Sequence, residues 1–346
     1  MVGSLVCAAL MWTGVKAANG FAVIEPGQFK ASAQEPGVLE AEAVSDKPFN
    51  EVVPSWNAQI DGGAVLKVSL KAVYPDRETD WYELGAWAMS EDNRSSVKDQ
   101  KDDDGDVYTD TLALKKPTDK IKVRLTLIPD ENDRRPVLKN FYLSLHDSAA
   151  WKPQELSDEK LWGRALDVPE KCQGDYEGGG VLCSPTSVSM IMGYWAKTLS
   201  RPELAKDVPE IKAGVFDPAW PGTGNWPFNM AFAGSFKGMS AFVTRLESIK
   251  DLEKFIEAKI PVAVSVSYDL LKGKDKKGED DGHLVVVIGF TEAGDPIIND
   301  PGYRAQTRNV FPRAQLLRGW GNSHNTCYIV APSNWKLPAG PGAWPN

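Results

Sequence analysis

The first half of the chain alternates apolar and polar residues. From about residue 45 to residue 148, runs such as VLKVSLKAV (65–73) and IKVRLTL (121–127) place an apolar side chain at every second position. Period two is typical of a strand with one buried face and one solvated face. FYLSL (141–145) is a further strand candidate, and turn-rich segments separate these strands without a helical period between them. The pattern predicts an antiparallel β-sandwich over residues 45–148.

From about Leu161 the pattern changes to mixed helix and strand. Ser184 as N-cap and Pro185 as the first helical residue predict a helix, because apolar residues follow them at helical spacing. Residues 251–259 predict another helix, and three apolar runs predict strands: residues 261–268, 283–290 and 296–300. We therefore expect an α+β domain over residues 165–335, followed by a Trp/Pro/Gly-rich tail at residues 336–346.

Composition supports two ordered domains and excludes two classes of function. The 346 residues are 42% hydrophobic and 10% aromatic, which is enough for packed cores. A formal net charge of −8 argues against a nucleic-acid partner, because such proteins present a basic surface. No apolar run reaches the length of about 18 residues that a membrane-spanning helix needs.

Residues 1–20 are a candidate export signal. An apolar stretch is followed by small residues that suit a cleavage site, although the basic start of such signals is missing, as in a truncated signal. Export would place the protein in the periplasm, at the cell surface or in the medium. The other interpretation is a buried first strand or helix.

The chain has four cysteines: Cys7, Cys172, Cys183 and Cys327. If export removes Cys7 and chemistry keeps Cys183 free, Cys172 and Cys327 remain as a disulfide pair for an oxidising compartment. Two unpaired buried thiols are an equally good interpretation.

Cys183 is a candidate nucleophile. It lies at a helix start, where free backbone N–H groups and the helix dipole stabilise a thiolate. His283 opens an apolar strand, and the following hairpin brings Asn299 and Asp300 back toward the same end, where either side chain could orient the imidazole. Cys183, His283 and Asp300, each at an element boundary, form the predicted catalytic triad.

Two further sets of residues complete the predicted site. The backbone N–H of Cys183 is one candidate donor to an oxyanion, and the side-chain amide of Gln173 is either a second donor or an exposed loop group. Between the cysteine and histidine motifs lies an aromatic segment, in which Trp220, Trp226 and Phe228 either bind an extended peptide or close over the core.

Three motifs carry a resemblance to a known family. CQGDYEGGGVLCSPTSVSMIMGYW, DGHLVVVIGF and IINDPGY resemble the papain-like cysteine peptidases of the bacteriocin double-glycine leader peptidase family and their soluble C39-like relatives. The resemblance covers residues 165–335 and implies catalytic roles for Gln173, Cys183, His283 and Asp300. Cys-Ser-Pro replaces the usual Cys-Gly-Pro, and no transporter membrane region follows, so leader cleavage during export is not implied.

These observations predict a secreted cysteine peptidase that acts through a thioester, without a cofactor or metal. Its partners would be a peptide or protein substrate and, for the β-sandwich, a cell-surface or glycan ligand. Two alternatives stay open: a binding module on a degenerate papain-like scaffold, and a cell-wall amidase or transpeptidase. A zinc site drawn from Cys172, Cys183, His283, His324 and Cys327 ranks behind them, because no Cys-x-x-Cys pair supports it.

Overall fold

The computed structural model describes residues 14–152, 154–279 and 281–345. Cys7 and residues 1–13 of the candidate export signal lie outside them. The rest of that candidate segment enters the first sheet, because Val15–Ala17 pairs with residues 43–45. No helix within the described ranges is long and apolar enough to cross a membrane.

The N-terminal part folds into a sheet of nine strands. Its hydrogen-bonded order is β2-β9-β4-β8-β5-β6, while β1 and β3 pair with β4, and β7 pairs with β8. The strands are β1 (Val15–Ala17), β2 (Phe21–Ile24), β3 (Lys30–Ala31), β4 (Val38–Gln59), β5 (Val65–Val73), β6 (Tyr82–Trp87), β7 (Gly105–Tyr108), β8 (Thr111–Ile128) and β9 (Val137–His146).

This sheet starts about residue 15, before the predicted boundary at residue 45, and it is antiparallel except for the pairing of β1 with β4. The predicted sandwich is not confirmed, because hydrogen bonds join the nine strands into one sheet. The physical reason is the length of β4, whose 22 residues pair with β8 and also with β9. Period two nevertheless located β5, β8 and β9 correctly.

The C-terminal part is an α+β domain. Its elements are β10 (Arg164–Ala165), α1 (Cys183–Leu199), α2 (Val208–Val215), α3 (Trp226–Ser235), β11 (Met239–Arg245), α4 (Ile249–Glu257), β12 (Val262–Ser267), α5 (Tyr268–Leu271), β13 (Gly282–Phe290), β14 (Pro296–Asn299), β15 (Arg308–Val310), α6 (Arg313–Gly321) and β16 (Thr326–Pro332). The strand order is β11-β16-β12-β13-β14-β15, all antiparallel, with β10 beside β13.

β13 is the strand that positions the site. Apart from Gly282 its residues are buried, and it pairs with both β12 and β14. Helix α1 packs against it. A strand that is buried on both faces has a continuous run of apolar residues, and the run LVVVI therefore predicted this strand from the sequence. The start of β13 therefore lies at a rigid point of the domain.

Cys172 and Cys327 are both buried free thiols, so the structure supports the second interpretation of these cysteines and not a disulfide. Cys327 lies in β16, between β11 and β12, while Cys172 precedes a short 3-10 turn at Gln173–Asp175.

Candidate active site

Cys183 is the first residue of α1. The residue before it, Leu182, is the N-cap, so the prediction of Ser184 as N-cap is wrong. A 3-10 turn at Gly179–Val181 leads directly into the helix, and the Ser184 hydroxyl is instead hydrogen-bonded to the Tyr328 hydroxyl at 2.9 Å. Cys183 is partly exposed. Its position leaves its backbone N–H without an intrahelical acceptor, as at any helix start.

His283 is the second residue of β13 and is only 5% exposed. Its Nε2 lies 2.7 Å from Oδ1 of Asp300. The same imidazole lies beside the thiol of Cys183, and the two groups shift each other's pKa. The ring therefore lies between a thiol and a carboxylate, in the order that nucleophilic catalysis by cysteine requires.

Asp300 follows directly after β14 and is 1% exposed. Its carboxylate accepts hydrogen bonds from the Tyr268 hydroxyl at 2.9 Å and from the Gly302 N–H at 2.8 Å, in addition to its contact with His283. These donors satisfy a buried charge that would otherwise be costly. Asn299, the other candidate for orienting the imidazole, does not serve here, because it contacts the backbone of Val168 and Pro169 and the side chain of Arg308.

Opposite shifts in pKa favour a thiolate–imidazolium pair. Burial raises the pKa of the Cys183 thiol, but the hydrogen bond and charge of His283, with backbone hydrogen bonds from Leu284 and Ser184, outweigh it and lower the pKa overall. Burial lowers the pKa of His283, whereas hydrogen bonds to Asp300 and Cys183 raise it, to about 9. Each group therefore holds its partner in the charged form.

Gln173 lies beside this group. Its backbone N–H donates to the carbonyl of Pro301 at 2.9 Å, which ties it to the loop after Asp300. Gln173 and His283 line the same cleft of about 330 Å³. Among the described residues, the buried Oε1 of Gln173 has no hydrogen-bond partner. Gly179 packs against the carbonyl of Gln173 so closely that a Cβ there would lie 2.3 Å from it.

Two family models match the chain in order. The first is described as the Peptidase C39 N-terminal domain and matches residues 23–144; the second, the Peptidase_C39 like family, matches residues 165–328. This chain belongs to the C39-like peptidase family. The second match contains Cys183, His283, Asp300 and Gln173, so the group described above lies within the C39-like part.

Comparisons with individual proteins give weaker evidence than the two family models. No curated protein matches the sequence significantly. A crystal structure from Bacillus anthracis, provisionally described as a C39-like peptidase, is 15% identical and covers 51% of this chain and 98% of that chain, with a TM-score of 0.35. Vicilin from hazelnut (Corylus avellana) is 7% identical, covering 89% of this chain and 83% of that chain, with a TM-score of 0.12. At these TM-scores neither likeness establishes a shared fold.

The aromatic segment of this member of the C39-like family serves two purposes. Phe228 is fully buried against Trp56 and Trp87 of the N-terminal sheet, so the prediction that it lines a substrate cleft is corrected: it fills the core between the domains. Trp226 is partly buried, and its backbone N–H donates to Asp110 at 2.8 Å. Both residues hold the two domains together.

Trp220 is different, because it is 45% exposed. Its indole covers Gly222 and Gly224, where an added Cβ would meet it at 2.8 and 3.1 Å. Between those glycines, the Thr223 hydroxyl donates to the carbonyl of Val181 at 2.9 Å. The segment that carries Trp220 is thus joined to the turn that leads into Cys183.

Sequence reasoning missed Tyr268 and Gly302. The Tyr268 ring packs on the His283 imidazole at 4.2 Å between centroids, and its hydroxyl contacts Asp300. Gly302 approaches the imidazole closely. The Asp-Pro-Gly sequence at residues 300–302 signalled a tight turn, but only the fold brings Tyr268 to it.

Proposed function

We propose that this protein is a cysteine peptidase with a papain-like second domain, in which Cys183 is the nucleophile, His283 the acid and base, and Asp300 the residue that orients His283. One observation carries the proposal: the imidazole lies beside the thiol, whose pKa it lowers, and is hydrogen-bonded at 2.7 Å to a buried carboxylate. The family supports a peptidase, and the site supplies the thiol chemistry.

The proposed reaction has two halves. The Cys183 thiolate attacks the peptide carbonyl carbon, and the carbonyl oxygen becomes an oxyanion that accepts hydrogen bonds from the Cys183 N–H and the Gln173 amide. Imidazolium then gives its proton to the departing amine, and a thioester remains. In the second half, His283 takes a proton from water, whose oxygen attacks the thioester and releases the acid and the thiolate.

We infer an apolar wall for the substrate on the Cys183 side of the cleft. Val181 is 66% exposed and lies two residues before the nucleophile, and the Thr223 bond joins its turn to the Trp220 segment. An extended peptide with an apolar side chain next to the scissile bond fits such a surface. Trp220 is therefore still proposed to contact the substrate. Trp226, at the domain interface, would help to hold the segment that carries Trp220.

The N-terminal domain supports this wall. Arg94 is fully buried, and its guanidinium donates to the backbone carbonyls of Ala213, Gly214 and Phe216 at 2.6–2.8 Å. Asp217 in turn accepts from the Ser96 N–H at 3.0 Å. Because these bonds fix the start of the Trp220 segment, the first domain would act on catalysis by holding a substrate-binding segment. Secretion, and a cell-surface or glycan ligand for this domain, are further proposals from the sequence alone.

Alkylation by iodoacetamide tests the thiolate. Peptide mass spectrometry would measure the rate at each cysteine against pH, with the buried Cys172 and Cys327 as internal controls. We expect Cys183 to react well below the ordinary thiol pKa of about 8.5. In His283→Ala the interactions of the imidazole, which lower the pKa of Cys183 most, are lost while burial remains, so reactivity at neutral pH should fall sharply. Asp300→Asn, which keeps the shape of the site, should show an intermediate profile.

Circular dichroism would show that each variant is folded. If Cys183 reacts only near pH 8.5, or if its profile is unchanged in His283→Ala, the thiolate–imidazolium pair does not exist and the peptidase proposal is wrong.

A further inference from the structure

Three side chains that commonly bind metals converge outside the candidate active site. One ligand atom each of Glu51, His146 and His324 lies within 4.8 Å of the other two. Two of the residues come from the N-terminal sheet and the third from the turn before β16. The cluster therefore spans the two domains, and the proposed peptidase chemistry does not use it.

Local structure places these side chains together. Glu51 in β4 and His146 in β9 are directly opposite each other across the antiparallel pair, so their side chains extend to the same face of the sheet. His324 has a φ of +52° and Asn325 a φ of +57°, a conformation that non-glycine residues rarely adopt. Asn325 holds this turn through a hydrogen bond to the carbonyl of Leu246 at 3.0 Å. Residues in such sparsely populated conformations cluster at functional sites.

One imidazole nitrogen in the cluster lacks a partner. Within the described part of the chain, the buried Nε2 of His146 makes no hydrogen bond, and His146 is 9% exposed. Nδ1 of His324 lies 3.5 Å from Oε2 of Glu51. Trp151 packs on both imidazoles, with centroid distances of 6.2 and 5.2 Å. A buried nitrogen with a free lone pair is costly, and a metal ion would satisfy it.

We propose that Glu51, His146 and His324 bind a divalent transition metal, with Zn²⁺ as the best match to two imidazoles and one carboxylate. Such a donor set gives a four-coordinate site with one position left for water. A cavity of about 410 Å³, lined by His146, Trp151 and Arg245, gives the ion a route to the cluster. Because its ligands come from both domains, the ion would fasten one domain to the other.

Arg245 is the feature that opposes a cation. Its Nη1 lies 2.7 Å from Oε2 of Glu51, and its side chain is 8% exposed. A carboxylate has two oxygens and can serve a guanidinium and a metal together, but the two positive charges repel. Removal of the Arg245 charge should therefore tighten metal binding, by about tenfold or more for a unit charge at this range.

The test uses Co²⁺ as a spectroscopic probe on the full chain. Cys183→Ser is the background for all variants, because a thiol beside an imidazole could itself bind the metal. We expect the visible bands of four-coordinate Co²⁺, displaced by Zn²⁺, with one ion per chain. His324→Asn should weaken binding at least about tenfold; asparagine tolerates the positive φ, so the turn is kept. His283→Asn is the matched control and should bind as the background does.

Zn²⁺ should also raise the unfolding temperature of the background protein and of His283→Asn, but not that of His324→Asn. Arg245→Gln should tighten Co²⁺ binding. Two results would overturn the proposal. One is that the background protein and His324→Asn give equal Co²⁺ spectra. The other is that Co²⁺ binding is present in the natural chain but lost in Cys183→Ser.

Discussion

Asn57 of the first domain hydrogen-bonds both backbone groups of Ala241 in the second. Its Nδ2 donates to the Ala241 carbonyl at 2.7 Å, and its Oδ1 accepts from the Ala241 N–H at 3.0 Å. Ala241 lies in β11, the edge strand of the second sheet, whose outer backbone groups would otherwise be unpaired. Ser55 acts similarly, accepting from the Val243 N–H at 3.1 Å. Side chains of one domain thus satisfy the sheet edge of the other.

Asn57→Ala should destabilise the protein strongly. The substitution leaves a buried N–H and a buried carbonyl of Ala241 without partners, which should cost about 2–4 kcal/mol of unfolding free energy. Urea unfolding followed by tryptophan fluorescence measures it. Asn132→Ala, at an exposed loop position, is the control and should change stability by less than about 0.5 kcal/mol. If the two variants are equally stable, these interdomain bonds contribute little.

Gln173→Ala should separate acyl transfer from simple thiol reactivity. Alkylation of Cys183 develops no oxyanion, so its rate should be unchanged. Hydrolysis of an activated ester passes through a tetrahedral oxyanion, and loss of one donor should slow it by about 10²–10³-fold. Steady-state ester hydrolysis and iodoacetamide kinetics on the same sample measure both rates. A parallel loss in both would mean that Gln173 shapes the thiol environment and does not bind an oxyanion.

The strands show why the sequence predicted part of the fold. β5, β13 and residues 121–127 of β8 have a clear apolar pattern, so the local sequence is enough to predict these strands. β4 was not predicted, because Asp46, Lys47 and Pro48 interrupt the pattern and its register with β8 shifts between Val44 and Phe49. Whether strands form one sheet or two depends on pairings between distant segments, which a local pattern does not contain.

In the candidate site, too, residues with a signal in the local sequence were predicted, and residues whose role depends on distant contacts were not. Cys183, His283 and Asp300 each stand at an element boundary with a local signal, and the structure brings the three together. Tyr268 carries no such signal, since its role depends on the packing of α5 beside the start of β13. The aromatic segment was ambiguous for a related reason: the sequence shows that Phe228 is apolar, but only the domain interface determines that it is buried.

Substitution of Phe228 should lower the stability of the protein, whereas substitution of Trp220 should change its reaction with apolar inhibitors and leave stability nearly unchanged. Phe228→Ala removes a ring packed between the domains and should cost about 3–5 kcal/mol of unfolding free energy. Trp220→Ala, at a side chain that is 45% exposed, should change stability by less than about 1 kcal/mol. Peptide-based inhibitors that react with the Cys183 thiol would test the substrate contact. For inhibitors that carry apolar side chains, Trp220→Ala should lower the second-order rate of inactivation. The rate of alkylation by iodoacetamide should be unchanged. If inhibitor selectivity is the same as in the natural chain, the apolar wall is not a substrate contact.

Gly302→Ala should disturb His283 without breaking any hydrogen bond. An added Cβ would lie 3.1 Å from Cε1 and Nε2 of the imidazole and 3.1 Å from the Tyr268 hydroxyl, so the ring must shift by a few tenths of an ångström. The Gly302 N–H that donates to Asp300 is kept. Because proton transfer depends on alignment, we expect ester hydrolysis to fall by about three- to thirtyfold.

The neighbouring Gly282→Ala is the matched control. Gly282 immediately precedes His283 in β13, and a Cβ there would meet no heavy atom within 4 Å. Both variants add one methyl group within the same site, and only one of them touches the imidazole. Ester hydrolysis and the pH profile of Cys183 alkylation should therefore match the natural chain in Gly282→Ala and differ from it in Gly302→Ala. If both variants retain full activity, a shift of the imidazole by a few tenths of an ångström does not limit the reaction. The close packing of Gly302 against the imidazole would then serve the fold and not catalysis.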